Sequence, residues 1–367
     1  MTSEPRDARA REILINGRFL TAPQSGVQRV ARELTIALDR LLATRNGSER
    51  WRLLHAPGAP VPPLTAIAAQ AVPGSGGTLW EQTALWRAAR GRCLVNLANT
   101  APLLHGQNIV MMHDAQVFDT PSSYPRAFRL WYRLMQPLAA RRARGLLTVS
   151  GFSAQRLAAH GIGQPGEATA IWNGLDHILR IDPDREAVAR LGLRPQRYAL
   201  AFAAAQPHKN LALLLRAWRD PRLADLTLAL VGTALPEGET APVNVRLLGR
   251  LDDAALRALY ADCLVFLFPS TTEGFGLPPG EAMLCGAPAA VSRAGAMPEV
   301  YEGAAEMLPP DDPAPWVDTV VALTEDPARR DALAAAGQAR AVTLTWERAA
   351  AQLLGAVHEK GVVPGDG

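Results

Sequence analysis

Short apolar runs alternate with helix-period segments along the whole chain, and that rhythm leaves few folds open: parallel strands, each covered by the helix that leads to the next. In the first half the runs are ILIN at 13 to 16, WRLLHA, CLVNLA, NIVMMHD, GLLTVS at 145 to 150 and TAIWN at 169 to 173. Helices are predicted from about 27, near 80 and from 124. The second half repeats the pattern with YALAFAAA at 198 to 205, LTLALVG at 226 to 232, NVRLLG at 244 to 249 and CLVFLFPS at 263 to 270. This predicts an α/β chain of two Rossmann-like domains. The turn chemistry of Asn173-Gly174-Leu175-Asp176 places the join there. The expected division is 1–175, then 176–345, with the alanine-rich segment 346–367 either capping the second domain or crossing back to the first.

With 367 residues the chain is long enough for two cores, and 48% hydrophobic against 20% charged residues is a globular balance. The start, MTSEPRDARARE, is charged and has no apolar core of a secretory leader. No run reaches the roughly 18 apolar residues of a spanning helix. Cys93, Cys263 and Cys285 are far apart and odd in number, which suits neither disulfides nor a metal knuckle, so a cytoplasmic home is expected. Charge is uneven: residues 1 to 175 hold 20 Arg and no Lys against 10 acidic groups, a balance of +10, and the remainder holds 18 basic against 25 acidic groups, −7.

The stretch TTEGFGLPPGEAMLCG at 271 to 286 sets two glutamates eight positions apart around three glycines and two prolines. CLVFLFPS before it reads as a buried strand. Gly274, Gly276, Pro278 and Pro279 then delay any helix until about 278, because proline is tolerated only at a helix's first positions. Glu273 is therefore expected on a loop past the strand's carboxyl end, and Glu281 in the first turn of the next helix. That end of a parallel sheet is where ligands bind. A glycine-led helix N-terminus suits a phosphate, and carboxylates beside it suit sugar hydroxyls. Paired carboxylates also serve glycoside hydrolysis, but nothing in the sequence sets the separation that chemistry needs.

EGFGLPPGEAMLCGAPAAVSRAGAMPEV at 273 to 300 resembles the signature of glycosyltransferase family four, retaining enzymes of the GT-B fold, in which two Rossmann-like domains face each other across a cleft. PHKNLALLLRAW at 207 to 218 and LLGRLDDAALRALYADCLVFLFPS resemble the segments before it. SGVQRVARELTIAL at 25 to 38, IVMMHD, LLTVSGFSAQRL and IWNGLD are similar to the family's first half. The resemblance implies a hexose donated by a nucleoside-diphosphate sugar to a saccharide or lipid-linked acceptor, with the first domain holding the acceptor and the second the donor. It implies that Glu281 holds the ribose, that Glu273 meets the donor sugar and that Lys209 meets the diphosphate. The backbone of Gly274, Phe275, Gly276 and Leu277 would lie beside the donor with His208 and Asn210. Gly26 would line the cleft, and His113 would sit near the reacting centre.

The loop Gln24 to Arg29 and the HKN segment look most like mannosyltransferases of bacterial surface polysaccharides, which points to GDP-mannose, with UDP-glucose second. His208 stands where the family often carries arginine, so a permanent charge is replaced by a titratable one. Ala203-Ala204-Ala205 lacks a glycine often found beside the phosphates, and Gly280 replaces a bulky apolar residue. No cofactor or metal is implied: there is no D-x-D at a strand end, and the seven histidines lack ligand spacing. A nucleic-acid partner is not implied either. Two other readings are weighed. A phosphorylase would need a cofactor lysine late in the chain, where only Lys360 stands, in an expected polar tail. A non-catalytic nucleotide-sugar-binding or partner subunit sits poorly with retained Glu273, Glu281 and Lys209. Finally, Arg126, Arg129 and Arg133 with Trp131 and Tyr132, followed by Arg141, Arg142 and Arg144, predict a helix face suited to anionic lipid at the inner face of the cytoplasmic membrane.

Overall fold

The computed structural model describes residues 12–45 and 49–361; the charged start, on which the absence of a leader was read, and residues 362–367 lie outside the described residues. The chain divides into two compact units. Unit 1 comprises the chain to Asp119, Arg126–Gly174 and the part from Trp346, and unit 2 comprises Thr120–Pro125 and Leu175–Thr345. The short segment Thr120–Pro125, expected within the first domain, thus clusters with the second. The helix Trp346–Gly361 belongs to unit 1, where it packs on the helix Gly26–Ala43. Lys360 is in its last turn rather than in a polar tail, and its ammonium donates to the Glu167 carbonyl at 2.9 Å.

Unit 1 is built on seven strands: Glu12–Asn16 (β1), Arg50–His55 (β2), Ile67–Ala71 (β3), Cys93–Asn96 (β4), Asn108–Met111 (β5), Gly145–Thr148 (β6) and Thr169–Ala170 (β7). They pair in parallel in the order β3-β2-β1-β4-β5-β6-β7. Unit 2 carries six: Tyr198–Phe202 (β8), Thr227–Val231 (β9), Val245–Leu247 (β10), Val265–Phe268 (β11), Ala289–Ser292 (β12) and Glu306–Leu308 (β13). Their order, β10-β9-β8-β11-β12-β13, repeats the doubly wound pattern, again parallel throughout.

Central strands such as β4, β5, β6, β11 and β12 are buried along their whole length, as expected where helices cover both sheet faces. Unit 2's core gathers Leu213, Leu228, Leu267, Trp218, Trp316 and Val320. In each sheet the winding reverses beside the first strand, between β1 and β4 and between β8 and β11. Loops leaving those pairs diverge and open a crevice at the strands' carboxyl ends. Among the described residues no helix is long and apolar enough to cross a membrane.

Candidate active site

The β8 and β11 ends of unit 2 carry the residues singled out in the sequence. Beyond β8, Pro207–Lys209 makes one turn of 3-10 helix, and Asn210 closes it in the left-handed region at φ 55°. Beyond β11 the chain runs through Ser270 to Glu273. The Thr271 amide donates to the His208 carbonyl at 2.8 Å, which ties the two loops together. Across that tie Lys209 Nζ donates to Glu273 Oε1 at 2.6 Å, and the ammonium also lies 5.8 Å from the centre of the Phe268 ring. Glu273 is buried, with its backbone clasped by the loop Ala294 to Ala296: Ala296 donates to the Glu273 carbonyl at 3.0 Å, and a Cβ on Gly295 would stand 2.5 Å from the Glu273 nitrogen.

Gly276 adopts φ 83°, a conformation natural to glycine, and caps the helix Leu277–Leu284. Its carbonyl accepts from the Tyr301 hydroxyl at 2.6 Å, which fixes Gly274 to Leu277 against the core, with Phe275 buried. The helix begins before the two prolines, so Glu281 lies in its second turn and not in the first, as the prolines had suggested. Glu281 is nevertheless buried beneath the loop. The Tyr260 hydroxyl donates to Oε2 at 3.4 Å, and His177 Nε2 stands 3.1 Å from Oε1, out of line for a full hydrogen bond. Sequence reasoning missed both partners. Gly280 has a steric reason: a Cβ there would meet Leu175 Cδ1 at 2.4 Å and the Tyr301 hydroxyl at 2.6 Å.

His208 is buried, with Nδ1 2.8 Å from Ser123 Oγ and its ring stacked on Tyr124. Burial, and then the charge on Lys209, push the imidazole down to about 4, so near neutral pH this position is uncharged. Asn210 donates its side-chain amide to the carbonyls of Pro269, at 3.1 Å, and Pro310, at 2.7 Å. Both amide hydrogens are committed, so Asn210 braces the Lys209 turn and its nitrogen has none left for a ligand.

Residues 196–326 match the family model described as Glycosyl transferases group 1. The chain carries a group 1 glycosyltransferase domain. O-antigen chain mannosyltransferase B of Escherichia coli is 28% identical over 265 residues, 68% of this chain and 69% of that one. Sucrose-phosphate synthase from Thermosynechococcus elongatus superposes with a TM-score of 0.72 at 18% identity, over 95% of this chain and 98% of that one. HepE of Anabaena, in complex with UDP-glucose, gives 0.68 at 20% identity, over 94% and 99%. The two structures share the GT-B fold with this glycosyltransferase.

Unit 1 of the glycosyltransferase holds the remaining singled-out residues. His113, just past β5, is buried: its Nε2 donates to the Leu97 carbonyl at 2.9 Å, and its backbone amide donates to Asn99 Oδ1 at 2.8 Å. Burial pushes this ring, too, down to about 4. Gly26 opens the helix Gly26–Ala43, and a Cβ there would meet nothing within 4 Å. Neither packing nor a positive φ explains a glycine at this place. Among the described residues no three His, Cys, Asp or Glu side chains converge as a metal-holding group.

Proposed function

We propose that this glycosyltransferase is a retaining hexosyltransferase that moves mannose from GDP-mannose to a hydroxyl of a saccharide or lipid-linked saccharide in bacterial surface-polysaccharide synthesis. The name of its Escherichia coli relative supports mannose and the polysaccharide. The UDP-glucose held by HepE makes UDP-glucose the second donor to try. The observation that carries the reading is the Lys209–Glu273 pair at unit 2's switch point, with Glu281 buried one helix further on.

In this reading Glu281 accepts from ribose hydroxyls and Glu273 from those of the hexose. Lys209 and the amides of Phe275 to Leu277 meet the diphosphate, with no metal ion required. The bond between C1 and the diphosphate oxygen breaks with its electrons going to the diphosphate, where Lys209 stabilises the growing charge. The acceptor oxygen bonds to C1 on the same face, and its proton passes to the leaving diphosphate. No side chain at the site acts as a covalent nucleophile, so positioning and electrostatics supply most of the rate. The basic, apolar face of the helix Arg126–Arg142 would hold the protein against the anionic cytoplasmic leaflet, where lipid-linked acceptors lie.

Thermal shift with GDP-, UDP- and dTDP-sugars tests the donor, since one present at 100 times its Kd stabilises by about 2.7 kcal/mol. Glu281→Ala, by leaving ribose hydroxyls unpaired, should weaken donor binding by on the order of 1.5 to 3 kcal/mol, and Glu281→Gln by less. No stabilisation by any nucleotide sugar, or full affinity in a folded Glu281→Ala variant, would overturn the assignment.

A further inference from the structure

Between Asp119 and Arg126 the chain leaves unit 1, and the six residues Thr120–Pro125 belong with unit 2. Their sequence is TPSSYP, in which Pro121 and Pro125 fix the backbone on either side of Ser122-Ser123-Tyr124. Pro121–Ser123 makes one turn of 3-10 helix, braced where the Ser123 amide donates to the Thr120 carbonyl at 3.0 Å and the Tyr124 amide to the Pro121 carbonyl at 3.3 Å. So short and braced a segment holds its side chains in place. Ser123 Oγ lies 2.8 Å from Nδ1 of His208, 85 positions on, and the Tyr124 ring stacks on the imidazole with centroids 6.3 Å apart and planes 13° from parallel. The ring's other nitrogen, Nε2, has no protein partner among the described residues. Lys209 follows directly, and the His208 carbonyl accepts from the Thr271 amide, so the ring stands on the turn that carries the Lys209–Glu273 pair.

We infer that Ser123 is a positioning residue for the donor: its hydroxyl donates to His208 Nδ1 and so leaves the ring's hydrogen on Nε2, where it donates to the diphosphate beside Lys209, an assignment that rests on the transferase reading above. An imidazole uncharged near neutral pH carries one hydrogen, and the bond made at one nitrogen decides which of the two holds it. A hydroxyl donates as readily as it accepts, so Ser123 can fill the Nδ1 lone pair. Were the hydrogen on Nδ1 instead, Nε2 would turn a lone pair to phosphate oxygens, and two acceptors do not bond. Stacking on Tyr124 fixes the ring plane, the freedom that a single hydrogen bond leaves open. The result is a neutral, aimed donor next to a cation. A hydrogen bond to a charged oxygen is stronger than one between neutral groups and weakens steeply when misaligned, so at this position direction does what a second permanent charge would otherwise do. A serine that only braced its own loop would serve equally well with the ring hydrogen on either nitrogen.

The test is long-range proton–nitrogen NMR of the histidine rings in the full chain, with the His208 signals assigned as those missing from His208→Gln. At pH 7 the parent is expected to show Nε2 protonated and Nδ1 bare, and GDP, with UDP and dTDP tried in parallel, should shift Nε2 more than Nδ1. Ser123→Ala should show both tautomers in exchange and bind the same nucleotide about three- to tenfold more weakly, as for one hydrogen bond lost, whereas Ser123→Thr, which keeps the hydroxyl, should stay within about twofold of the parent. Thermal unfolding checks that both variants are folded. A parent ring with its hydrogen on Nδ1, or full nucleotide affinity in folded Ser123→Ala, overturns the inference. A nucleotide that stabilises the chain without moving His208 Nε2 overturns it as well and leaves the donor reading standing. Binding of none of the three overturns both.

Discussion

Lys209 and Glu273 meet at 2.6 Å from loops that leave neighbouring strands, β8 and β11, so the ion pair closes over the point where the sheet's winding reverses. Two loops of a parallel sheet share that point only there. The lysine side chain is one-third exposed and the glutamate one-eighth, which leaves the ammonium open to a ligand while the carboxylate is held beneath it.

Removing the cation has separable consequences for stability and for rate. Lys209→Met should strand the buried Glu273 carboxylate at a cost of about 1–3 kcal/mol, readable by urea unfolding, and Glu273→Gln in the same chain should recover part of it. Charge on the diphosphate grows as the glycosidic bond breaks, so kcat should fall by about 10²–10³ while donor binding changes far less. A variant that raises only KM would show that the lysine binds ground state and transition state alike.

Acid should loosen the fold through His113 and His208. Both imidazoles are pushed from the ordinary 6.5 down to about 4, chiefly by burial, so between those values the unfolded chain binds more protons than the folded one. Stability therefore rises with pH through that window: the contribution is present above about 6.5 and is lost as pH falls towards 4. At 1.36 kcal/mol per unit each ring accounts for on the order of 3 kcal/mol at most. Guanidinium unfolding at pH 7 and pH 4.5 should show a drop, and the drop should be smaller in His113→Asn and His208→Asn. An identical drop in both variants would place the acid sensitivity elsewhere.

Long strands buried on both faces were legible because nothing but apolar runs can fill them, as CLVFLFPS shows at β11, whereas β12, equally buried, was not, because its four residues AAVS make too short and too weakly apolar a run. β3 was not, because IAAQA is an edge strand with only Ile67 buried, and its pattern carries little signal. TAIWN pairs only through Thr169 and Ala170, also at an edge. At the site, the residues brought together by adjacent loops could be read in order, whereas partners that meet through tertiary packing could not. Ser123 and His208 are 85 positions apart, and His177 and Tyr260 reach Glu281 from other elements. The available sign was weak: a pair of prolines around three hydroxyl-bearing residues, as Pro121 and Pro125 stand around Ser122-Ser123-Tyr124.

Two glycines should answer alanine in opposite ways. At Gly280 the new methyl group would collide with Leu175 and the Tyr301 hydroxyl, and overpacking of that kind costs about 1–3 kcal/mol. Displacing Tyr301 would also release the Gly276 carbonyl and loosen the donor loop. At Gly26 nothing stands within 4 Å, so Gly26→Ala should melt at or slightly above the parent temperature. If a ligand approaches that backbone, transfer should nevertheless fall. Unchanged transfer in a stable Gly26→Ala variant would mean that no ligand comes near it.

The helix Arg126–Arg142 tests the membrane proposal, and its exposed face differs from the one its arginines suggested. Arg129 is half-buried, whereas Arg126, Leu130, Trp131, Arg133, Leu134 and Arg141 are exposed. At 3.6 residues per turn Leu130 and Leu134 form the middle of that face, Arg126, Arg133 and Arg141 lie close beside them, and Trp131 borders the far edge. Apolar residues flanked by cations and an aromatic suit an interface where side chains enter the headgroup layer and charges meet anionic lipid. Each arginine near such a surface adds about 1 kcal/mol, fading within a Debye length of ~8–10 Å at moderate salt. In vesicle sedimentation the protein should bind anionic lipid and release it as salt rises. Glutamine at 126, 133 and 141 should weaken binding by removing the salt-sensitive part, and serine at 130 and 134 should weaken what salt leaves behind. Equal sedimentation with neutral and anionic vesicles, or none with either, would sink the membrane contact and point to an acceptor in solution.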